Sequence, residues 1–481
     1  MIQSAKGTAA AAAQLTTVDL QAAPIDRFRD LLGAERWTGF ERTMSELAEK
    51  LRGRVVWNVN STARGGGVAE LLAALIPYSI GCGIDERWAV IEGSPAFFNV
   101  TKRLHNLLHG VASGAGSISD AERQEYERTM AMNAAALGRA VQPKDVVILH
   151  DPQTAGLVPS LTSRGCTVIW RSHIGVDQPN DLVRAAWGML RPYITGAAAY
   201  VFSRSAYEWE GLDASRVHVI APTIDPFTTK NQHLSDNQTL AILRGAGVVV
   251  GTDGEATFMR PGDVPGRITH RVSMSGGRLP AGADYVIQVS RWDRLKDPVG
   301  VVEMFARHVA PHSKAFLLLA GPSATKVDDD PEQPGILRDL EAAREAMPGE
   351  TRSRVLIAQL PMDDLDENAA IVNALQRRAT VVVQKSLAEG FGLTVAEAMF
   401  KSRPVVASRV GGIEDQIESG RSGILVDDPK DLEAFGGNVS RLLADPGEAQ
   451  RLGDGARRRI VEQYIAPRHL TEQAKLIASL L

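Results

Sequence analysis

Residues 380–399 read TVVVQKSLAEGFGLTVAEAM, and this stretch decides the fold class of the chain. Its first part is apolar without interruption, its middle is a loop with two glycines, and its last part has the pattern of a helix. A strand that is apolar at every position is typical of a parallel sheet covered by helices on both faces. The stretch therefore predicts one strand–loop–helix unit of a doubly wound α/β fold.

Similar units recur along all 481 residues. Short β-branched runs alternate with longer helical patterns, which predicts two successive doubly wound parallel sheets, one in each half. In the first half we predict strands at 54–60, 87–92, 145–150, 167–171, 198–202 and 216–220. In the second half we predict them at 285–290, 315–320, 354–359, 380–384, 404–408 and 423–426.

Composition excludes several classes of protein. The formal net charge is −4, with 53 basic and 57 acidic residues, so no basic excess is available to bind nucleic acid electrostatically. The two cysteines, Cys82 and Cys166, exclude a disulfide framework and favour a reducing cytoplasm. No apolar run reaches the roughly 18 residues of a membrane span, so we expect a cytoplasmic protein without integral membrane contact.

Ligands of open α/β sheets bind outside the carboxyl ends of the strands, and a basic loop follows predicted strand 285–290. Arg291 and Lys296 place two cations near that strand end, where they can hold a diphosphate. A solvated basic loop before a helix explains the same residues. The loop becomes informative only together with other motifs.

The loop after predicted strand 380–384 combines flexibility with a helix N-terminus. Gly390 and Gly392, on either side of Phe391, let the backbone approach a ligand. The amides of Leu393 and Thr394 open the following helix, and free N–H groups at a helix N-terminus suit phosphate. We therefore predict that residues 390–394 bind an anionic donor.

Two carboxylates flank this loop. Glu389 stands in the loop, where it can accept hydrogen bonds from sugar hydroxyls, and Glu397 lies one helical turn inside. Thr394 and Glu397 also have the spacing of a capping box, which would explain Glu397 without any ligand. No such structural explanation is available for Glu389.

The first half carries its own loop and its own polar strand ends. Gly65, Gly66 and Gly67 join predicted strand 54–60 to a helix, and three glycines exceed what a tight turn needs. His150 with Asp151, and His173, end two successive strands and point at the same crevice.

Three elements in the second half then coincide: Arg291 with Lys296, Glu389 with Glu397 after seven intervening residues, and RVGG at 409–412. Their order, each after a strand, resembles the large retaining GT-B glycosyltransferase family that includes sucrose synthase.

The resemblance implies a role for each charged residue. Arg291 and Lys296 would stabilise the departing nucleotide diphosphate, Glu389 would hold donor-sugar hydroxyls, and Glu397 would hold the nucleotide ribose. Gln359, at a strand end, would flank the base. In this family the acceptor hydroxyl attacks on the face that the diphosphate leaves, and no carboxylate acts as covalent nucleophile.

The first half narrows the resemblance to the trehalose glycosyltransferring synthases and the related trehalose phosphorylases, which make or use an α,α-1,1 bond between glucose units. The resemblance rests on residues 58–67, 97–102, 105–106, 150–153 and 170–174. It implies that His173 lies beside the transferred sugar. Asn58, His150 and Asp151 would bind the acceptor, and the glycines at 65–67 the donor.

The implied organisation is a GT-B fold with two Rossmann-like domains facing across a cleft. The segments are an N-terminal extension (1–53, partly disordered and then helical), an acceptor domain (54–225), a linker with a β insert (226–284), a nucleotide-sugar domain (285–458) and a C-terminal helix (459–481) that packs back on the first domain.

The resemblance implies a co-substrate and no resident cofactor. Nucleotide-diphosphate glucose is the co-substrate, no motif binds a metal, and Mg²⁺ would at most stimulate. Asp364 and Asp366 imitate a metal-binding Asp-x-Asp, but they are placed to open a helix, whose dipole favours acidic residues. The partners are small sugars and a nucleotide sugar, and a homodimer is compatible with the sequence.

Four other functions stay open at this point. A trehalose phosphorylase would use the same cations for inorganic phosphate, and a glycosyltransferase with another acceptor would share the second half. A non-catalytic sugar or nucleotide sensor is a third possibility. An NAD-dependent oxidoreductase is disfavoured because the Gly-rich dinucleotide fingerprint is missing.

Overall fold

The computed structural model describes residues 15–63, 66–112, 117–251, 254–323 and 332–481. The chain forms two compact units, one of Met1–Pro222 with Pro467–Leu481 and one of Thr223–Ala466. Each unit is built on one seven-stranded, mostly parallel sheet with helices around it. The predicted class of two Rossmann-like α/β domains is confirmed.

The described residues of the first unit contain seven strands and six α-helices before the C-terminal segment. The strands are β1 (Thr16–Val18), β2 (Val56–Asn60), β3 (Glu86–Val90), β4 (Val146–His150), β5 (Thr167–Ser172), β6 (Ala199–Phe202) and β7 (Val217–Val219). The helices are α1 (Arg29–Lys50), α2 (Gly67–Gly81), α3 (Pro95–Leu108), α4 (Asp120–Leu137), α5 (Val158–Ser163) and α6 (Asp181–Ile194). The strand order is β1-β3-β2-β4-β5-β6-β7, and only β1 runs antiparallel to its neighbour.

The two faces of the first sheet differ in chemistry. Trp57 and Leu149 lie in a large apolar core together with side chains from α3, α4 and α6. Because successive residues of a strand point to opposite faces, Asn58 and His150 point to the other side of the sheet. Both are buried there, so the central strands carry polar side chains into the interior.

The second unit contains nine strands and nine helices in the described residues. The strands are β8 (Thr257–Arg260), β9 (Val264–Arg267), β10 (Ser273–Ser275), β11 (Tyr285–Val289), β12 (Phe316–Pro322), β13 (Val355–Leu360), β14 (Val381–Gln384), β15 (Val405–Ser408) and β16 (Ile424–Val426). The helices are α7 (Asp236–Gly245), α8 (Pro298–Met304), α9 (Gln333–Glu345), α10 (Gly349–Arg352), α11 (Leu365–Arg378), α12 (Leu393–Phe400), α13 (Gly412–Gln416), α14 (Leu432–Ala444) and α15 (Pro446–Gln463).

The second sheet has the order β10-β13-β12-β11-β14-β15-β16, with β10 antiparallel and the rest parallel. The last helix, α16 (Ala466–Leu480), belongs to the first unit from Pro467 onward. No described helix is both long enough and apolar enough to cross a membrane.

Each of the twelve predicted strands is present, with ends that differ by at most two residues. The structure adds β1 and β10, the antiparallel strands at one edge of each sheet. Both have three residues and are rich in Ser and Thr, so they lack the apolar run by which the other strands were predicted. We also predict disorder for residues 1–17 of the N-terminal extension. Residues 1–14 lie outside the described residues, whereas Thr16 and Thr17 belong to β1, so the prediction is wrong for those two residues, which pair with β3.

Segment 226–284, which we predicted as a linker, differs in the structure because it lies within the second unit. It supplies α7, which packs on α11, the two-stranded sheet of β8 and β9, and the edge strand β10. Its β-insert character is present, but its contacts are those of a domain component. The cause is the partner surface on α11, which the segment's own sequence does not reveal.

The contacts of β8 settle the role of the Asp-x-Asp sequence. Arg260 binds Asp364 through both guanidinium ends, at 3.0 and 2.6 Å, and reaches Asp366 at 3.2 Å. The Asp364 carboxylate also caps α11 by accepting from the amides of residues 366 and 367. These hydrogen bonds, that of Arg260 above all, lower the pKa of Asp364 to about 2. Asp364 and Asp366 therefore lie at the start of α11, as predicted, and their ion pairs with Arg260 hold the sheet of β8 and β9 against that helix.

We expect Gly453→Ala to destabilise the second unit by about 1–3 kcal/mol, the usual cost of overpacking. A Cβ at Gly453, in α15, would lie 2.2 Å from the carbonyl oxygen of Ser402, just after α12. The matched control is Gly437→Ala in α14, where a Cβ meets no atom within 4 Å. It should stabilise by up to ~1 kcal/mol through helix propensity. Denaturant unfolding measures both, and equal effects would contradict the packing argument.

Candidate active site

Two loops meet at the carboxyl edge of the second sheet because β11 and β14 are hydrogen-bonded neighbours. The amide of Leu387 donates to the carbonyl of Leu295 at 2.7 Å. The Gln288 side chain donates to the Lys296 carbonyl at 2.8 Å and accepts from the Lys385 amide at 2.9 Å. The predicted diphosphate loop and the predicted donor-sugar loop are thus fixed against each other.

The structure joins two of the predicted catalytic residues directly. Lys296 Nζ lies 2.7 Å from Glu389 Oε2, and the two side chains are only 15% and 13% exposed. The Ser386 hydroxyl donates to the same carboxylate oxygen at 3.3 Å. An ammonium group with three donors, next to a carboxylate, presents a cation and an acceptor at one strand end.

Arg291 follows the same strand but lies in a different environment. Its side chain is 59% exposed and forms an ion pair with Asp293 at 3.1 Å. Its exposure leaves it more freedom than Lys296 to reorient toward an anion.

Lys385 is a residue that the sequence analysis missed. It is buried, forms an ion pair with Asp297, and lies near the ring of Phe435. Asp297 adopts a left-handed backbone conformation and caps α8 through the amide of Gly300 at 3.1 Å. The ion pair of Lys385 with Asp297 fixes the end of the 291–297 loop. The sequence signal for Lys385 was its position next to Ser386, in the loop that follows predicted strand 380–384.

Helix α12 begins differently from the capping-box alternative. Gly392, with φ of 87°, is its N-cap, so Thr394 lies inside the first turn. The Thr394 hydroxyl donates to the Gln384 side chain at 3.2 Å, and Glu397 makes no capping contact. The capping-box explanation of Glu397 is therefore wrong. In the described residues no protein group accepts from the amides of Leu393 and Thr394.

Glu397 is a buried carboxylate with one oxygen left over. Its side chain is 6% exposed, and Oε1 lies 3.6 Å from Lys230 Nζ. Oε2 is buried and has no hydrogen-bond partner among the described residues. Such an unpaired acceptor costs about 1–3 kcal/mol, so the site is suited to a ligand that brings a hydroxyl or another donor.

Lys401, a buried cation just after α12, contacts the backbone of Glu397. Lys401 Nζ donates to Asn231 Oδ1 at 2.9 Å, to Gln376 Oε1 at 2.8 Å and to the Glu397 carbonyl at 3.2 Å. Burial lowers the pKa of Lys401 to about 7. Lys230 and Asn231 come from the segment predicted as a linker, so sequence reasoning could not assign them to this site.

The RVGG sequence and Gln416 hold the remaining residues of the predicted donor loop. The amide of Gly412 donates to the Gly390 carbonyl at 2.8 Å, and a Cβ at 412 would collide with Phe391. Gln416 Nε2 donates to the Phe391 carbonyl at 2.5 Å. Gln359 lies at the carboxyl end of β13, as predicted, and is partly exposed.

In the first unit, the carboxyl ends of β4 and β5 bring two predicted histidines together. His150 Nδ1 lies 3.1 Å from His173 Nε2, and the ring planes differ by 17°. Asp151 Oδ1 accepts from the His173 amide at 2.7 Å, which fixes the backbone of His173. Asp151 itself has a φ of 64°, so the turn after β4 is sharp.

Burial revises the predicted role of Asn58 and His150. Each is only 2% exposed, and His150 Nε2 contacts Asn58 Oδ1 at 3.0 Å. Both therefore lie beneath His173, which is partly exposed. The sequence analysis assigned Asn58 and His150 to direct acceptor contact, whereas the structure buries both and leaves only His173 partly exposed at the end of their row of hydrogen bonds.

Burial also sets the charge of this cluster. It lowers the pKa of His150 to about 3 and that of His173 well below its usual value, with Arg171 adding to both effects. Burial raises the pKa of Asp151 to about 7. Arg171 is held by His469 of α16 at 2.9 Å and by the carbonyl of Ile220 at 3.0 Å. Both histidines are therefore neutral at physiological pH.

The predicted glycine loop is described only in part. Gly65 lies outside the described residues, and Gly66 is the N-cap of α2 with φ of 85°. Gly67 is the first residue of α2. The described residues contain no cluster of three or more metal-ligating side chains.

Comparisons with known proteins find similar sequences over both units. Residues 58–209 match a family model described as the N-terminal domain of trehalose synthase, and residues 274–459 match the model of glycosyl transferases group 1. The trehalose synthase of Rubrobacter xylanophilus is 36% identical over 441 residues, which cover 91% of this chain and 93% of that protein. That of Pyrococcus horikoshii is 32% identical over 456 residues, with 95% and 96% coverage.

More distant proteins share the fold or part of the chain. A trehalose phosphorylase of Pleurotus sajor-caju is 27% identical over 469 residues, which cover 90% of this chain and 58% of the phosphorylase. The structure of an α,α-trehalose-phosphate synthase (UDP-forming) from Burkholderia vietnamiensis has a TM-score of 0.62 at 16% identity, and covers 89% of this chain and 98% of that one.

The two family models together span most of the chain, and relatives above 30% identity match 91–95% of it. The chain therefore belongs to the trehalose synthase family of GT-B glycosyltransferases, and it is a hexosyltransferase.

Proposed function

We propose that this chain transfers glucose from a nucleotide-diphosphate glucose to free glucose, with retention of configuration, and so forms trehalose. The observation that carries the proposal is the buried Oε2 of Glu397, which has no hydrogen-bond partner in the part of the chain that the structure describes. A nucleotide sugar brings ribose hydroxyls that can donate to this oxygen. The same ligand brings a diphosphate for Lys296 and sugar hydroxyls for Glu389, which are paired in the same unit.

Under this proposal the second unit holds the donor. Lys296 and Arg291 stabilise the charge that develops on the diphosphate as it leaves, and the free amides at the start of α12 add to that field. Glu389 orients the glucose through its hydroxyls. The acceptor hydroxyl attacks the anomeric carbon on the face that the diphosphate leaves, and a phosphate oxygen takes its proton.

A phosphorylase activity is the second candidate, since a relative carries that name. Two observations favour the synthase. The chain matches trehalose synthases over 93–96% of their length, against 58% of the phosphorylase. A reaction of trehalose with inorganic phosphate also contains no ribose for Glu397.

We expect Lys296→Ala and Arg291→Ala each to lower kcat by about two to three orders of magnitude, the scale for removing one preorganised stabiliser of developing charge. Arg294→Ala is the matched control, because Arg294 is an exposed cation of the same loop. Steady-state kinetics with purified variants of equal melting temperature measure the effect. Near-normal kcat in both test variants would remove the leaving-group assignment.

Glu397→Gln should weaken binding of the nucleotide sugar by about 10–100-fold, because it removes a charged acceptor worth roughly 1.5–3 kcal/mol. The helix should persist, since its N-cap is Gly392 and not a Glu397 contact. Glu389→Ala should lower kcat more than Glu397→Ala does. Calorimetry with UDP-, ADP- and GDP-glucose measures the affinities, and wild-type affinity of Glu397→Gln for every donor would leave it a structural residue.

The product assay decides among the functions. Protein, UDP- or ADP-glucose and glucose are incubated, and NMR should identify α,α-trehalose. Phosphate-dependent release of glucose 1-phosphate without nucleotide would establish the phosphorylase instead. Transfer only to another acceptor would remove glucose as acceptor, and binding without turnover with every donor would indicate a sensor.

A further inference from the structure

Four polar side chains form a diagonal across one face of the first sheet. Val56 of β2 is in register with Glu86 of β3 and with Val146 of β4, which is in register with Thr167 of β5. Val56, Glu86, Val146 and Thr167 are therefore level with one another across the sheet. Counted from that level toward the carboxyl ends, Asn58 lies two residues beyond Val56, His150 four beyond Val146 and His173 six beyond Thr167. Even steps keep all four on one face.

Hydrogen bonds connect the diagonal from end to end. Asn58 Nδ2 donates to Glu86 Oε1 at 2.6 Å, so Asn58 presents Oδ1 to His150 Nε2 at 3.0 Å. An amide oxygen only accepts, so Nε2 of His150 carries the hydrogen. The neutral ring then has a lone pair on Nδ1, which lies 3.1 Å from His173 Nε2.

The same logic assigns the last ring. His173 Nε2 must donate to His150, so a neutral His173 has its lone pair on Nδ1. We propose that Glu86, Asn58 and His150 are positioning residues that fix this tautomer, so that His173 Nδ1 accepts a hydrogen bond from a sugar hydroxyl. The sugar as ligand rests on the proposed function, whereas the tautomer follows from the protein alone.

Glu86 sets the donor-to-acceptor direction of this row of hydrogen bonds. Burial raises the pKa of the Glu86 carboxyl, and hydrogen bonds from the Ser79 and Asn58 side chains oppose that rise. Two donors therefore converge on Glu86, which in its ionised form can only accept. Glu86, Asn58 and His150 are all buried on a face where α2 packs with apolar residues. Stability alone would be served by apolar side chains, because burial of polar groups gains little.

The surroundings keep both rings neutral, which the tautomer argument requires. Burial lowers the pKa of His150 and His173, and the buried guanidinium of Arg171, in register with His150, opposes a further positive charge. Asp151 faces His173 through a backbone hydrogen bond and not through the ring. His469 of α16 also acts on His173 and has its Nε2 at Arg171, and Glu86 lies on the same face at the far end of the diagonal.

The direct test is NMR of the full-length protein with 15N-labelled histidine. Long-range 1H–15N spectra distinguish a ring that carries hydrogen on Nε2 from one that carries it on Nδ1. We expect His150 and His173 both to carry it on Nε2, unchanged between pH 5.5 and 8. Signals are assigned with His150→Gln and His173→Gln. Hydrogen on Nδ1 of His173, or on both nitrogens, in the unmodified protein would overturn the proposal.

Two variants test the origin of the direction. In Glu86→Gln the terminal amide can donate or accept, so Asn58 can turn over, and Asn58→Leu cuts the chain. Both should shift His173 toward a mixture of tautomers and lower kcat about 3–10-fold, with the donor KM changed less than twofold. Unchanged 15N shifts in both variants, or unchanged kcat where the tautomer has changed, would overturn the proposal.

Asp145→Asn is the matched control. Asp145 is a buried carboxylate just before β4, where it accepts from Trp57 Nε1 at 3.2 Å and has no bond to the histidines. It should lower the melting temperature without moving the histidine shifts, and a tautomer change there would overturn the assignment to Glu86. The spectra need no substrate, so they separate a failure of this inference from a failure of the proposed function. If sugar transfer is absent while the histidine shifts are as expected, the sugar as ligand is contradicted and the tautomer assignment stands.

Discussion

The register between parallel strands is the constraint on which the rest of this structure depends. Hydrogen bonding between β11 and β14 places the loops after both strands side by side, and the pairing of β4 with β5 does the same in the first unit. Residues that are distant in sequence, such as Lys296 and Glu389, come within 2.7 Å for this reason. Each candidate site is a consequence of strand order before it is a consequence of side-chain chemistry.

Both units carry buried polar groups, but they satisfy them differently. In the first unit Glu86, Asn58, His150 and His173 form a connected chain that ends at a partly exposed ring. In the second unit Glu397 keeps an oxygen without a partner in the described residues. A satisfied network rigidifies its surroundings, whereas an unsatisfied acceptor is a cost that a bound ligand can remove. The two arrangements therefore suit a positioning role and a binding role, respectively.

Segment 226–284 shows how a stretch of weak pattern acquires function through its contacts. Its Lys230 faces Glu397 and its Asn231 binds Lys401, so it helps to set the charge of the candidate donor site. Its Arg260 occupies Asp364 and Asp366, which removes an apparent metal motif. The same segment thus contributes side chains to the site around Glu397 and occupies the carboxylates of Asp364 and Asp366.

The sequence by itself determined the two sheets, their twelve parallel strands, and the loops that carry Lys296, Glu389 and His173. Apolar runs and glycine positions are local signals, so they can be read without tertiary contacts. Only the tertiary structure decided that Gly392 caps α12, that Asn58 and His150 lie beneath His173, and that Glu86 ends their chain. Burial and hydrogen-bond direction depend on neighbours that are distant in sequence, and no local pattern encodes them.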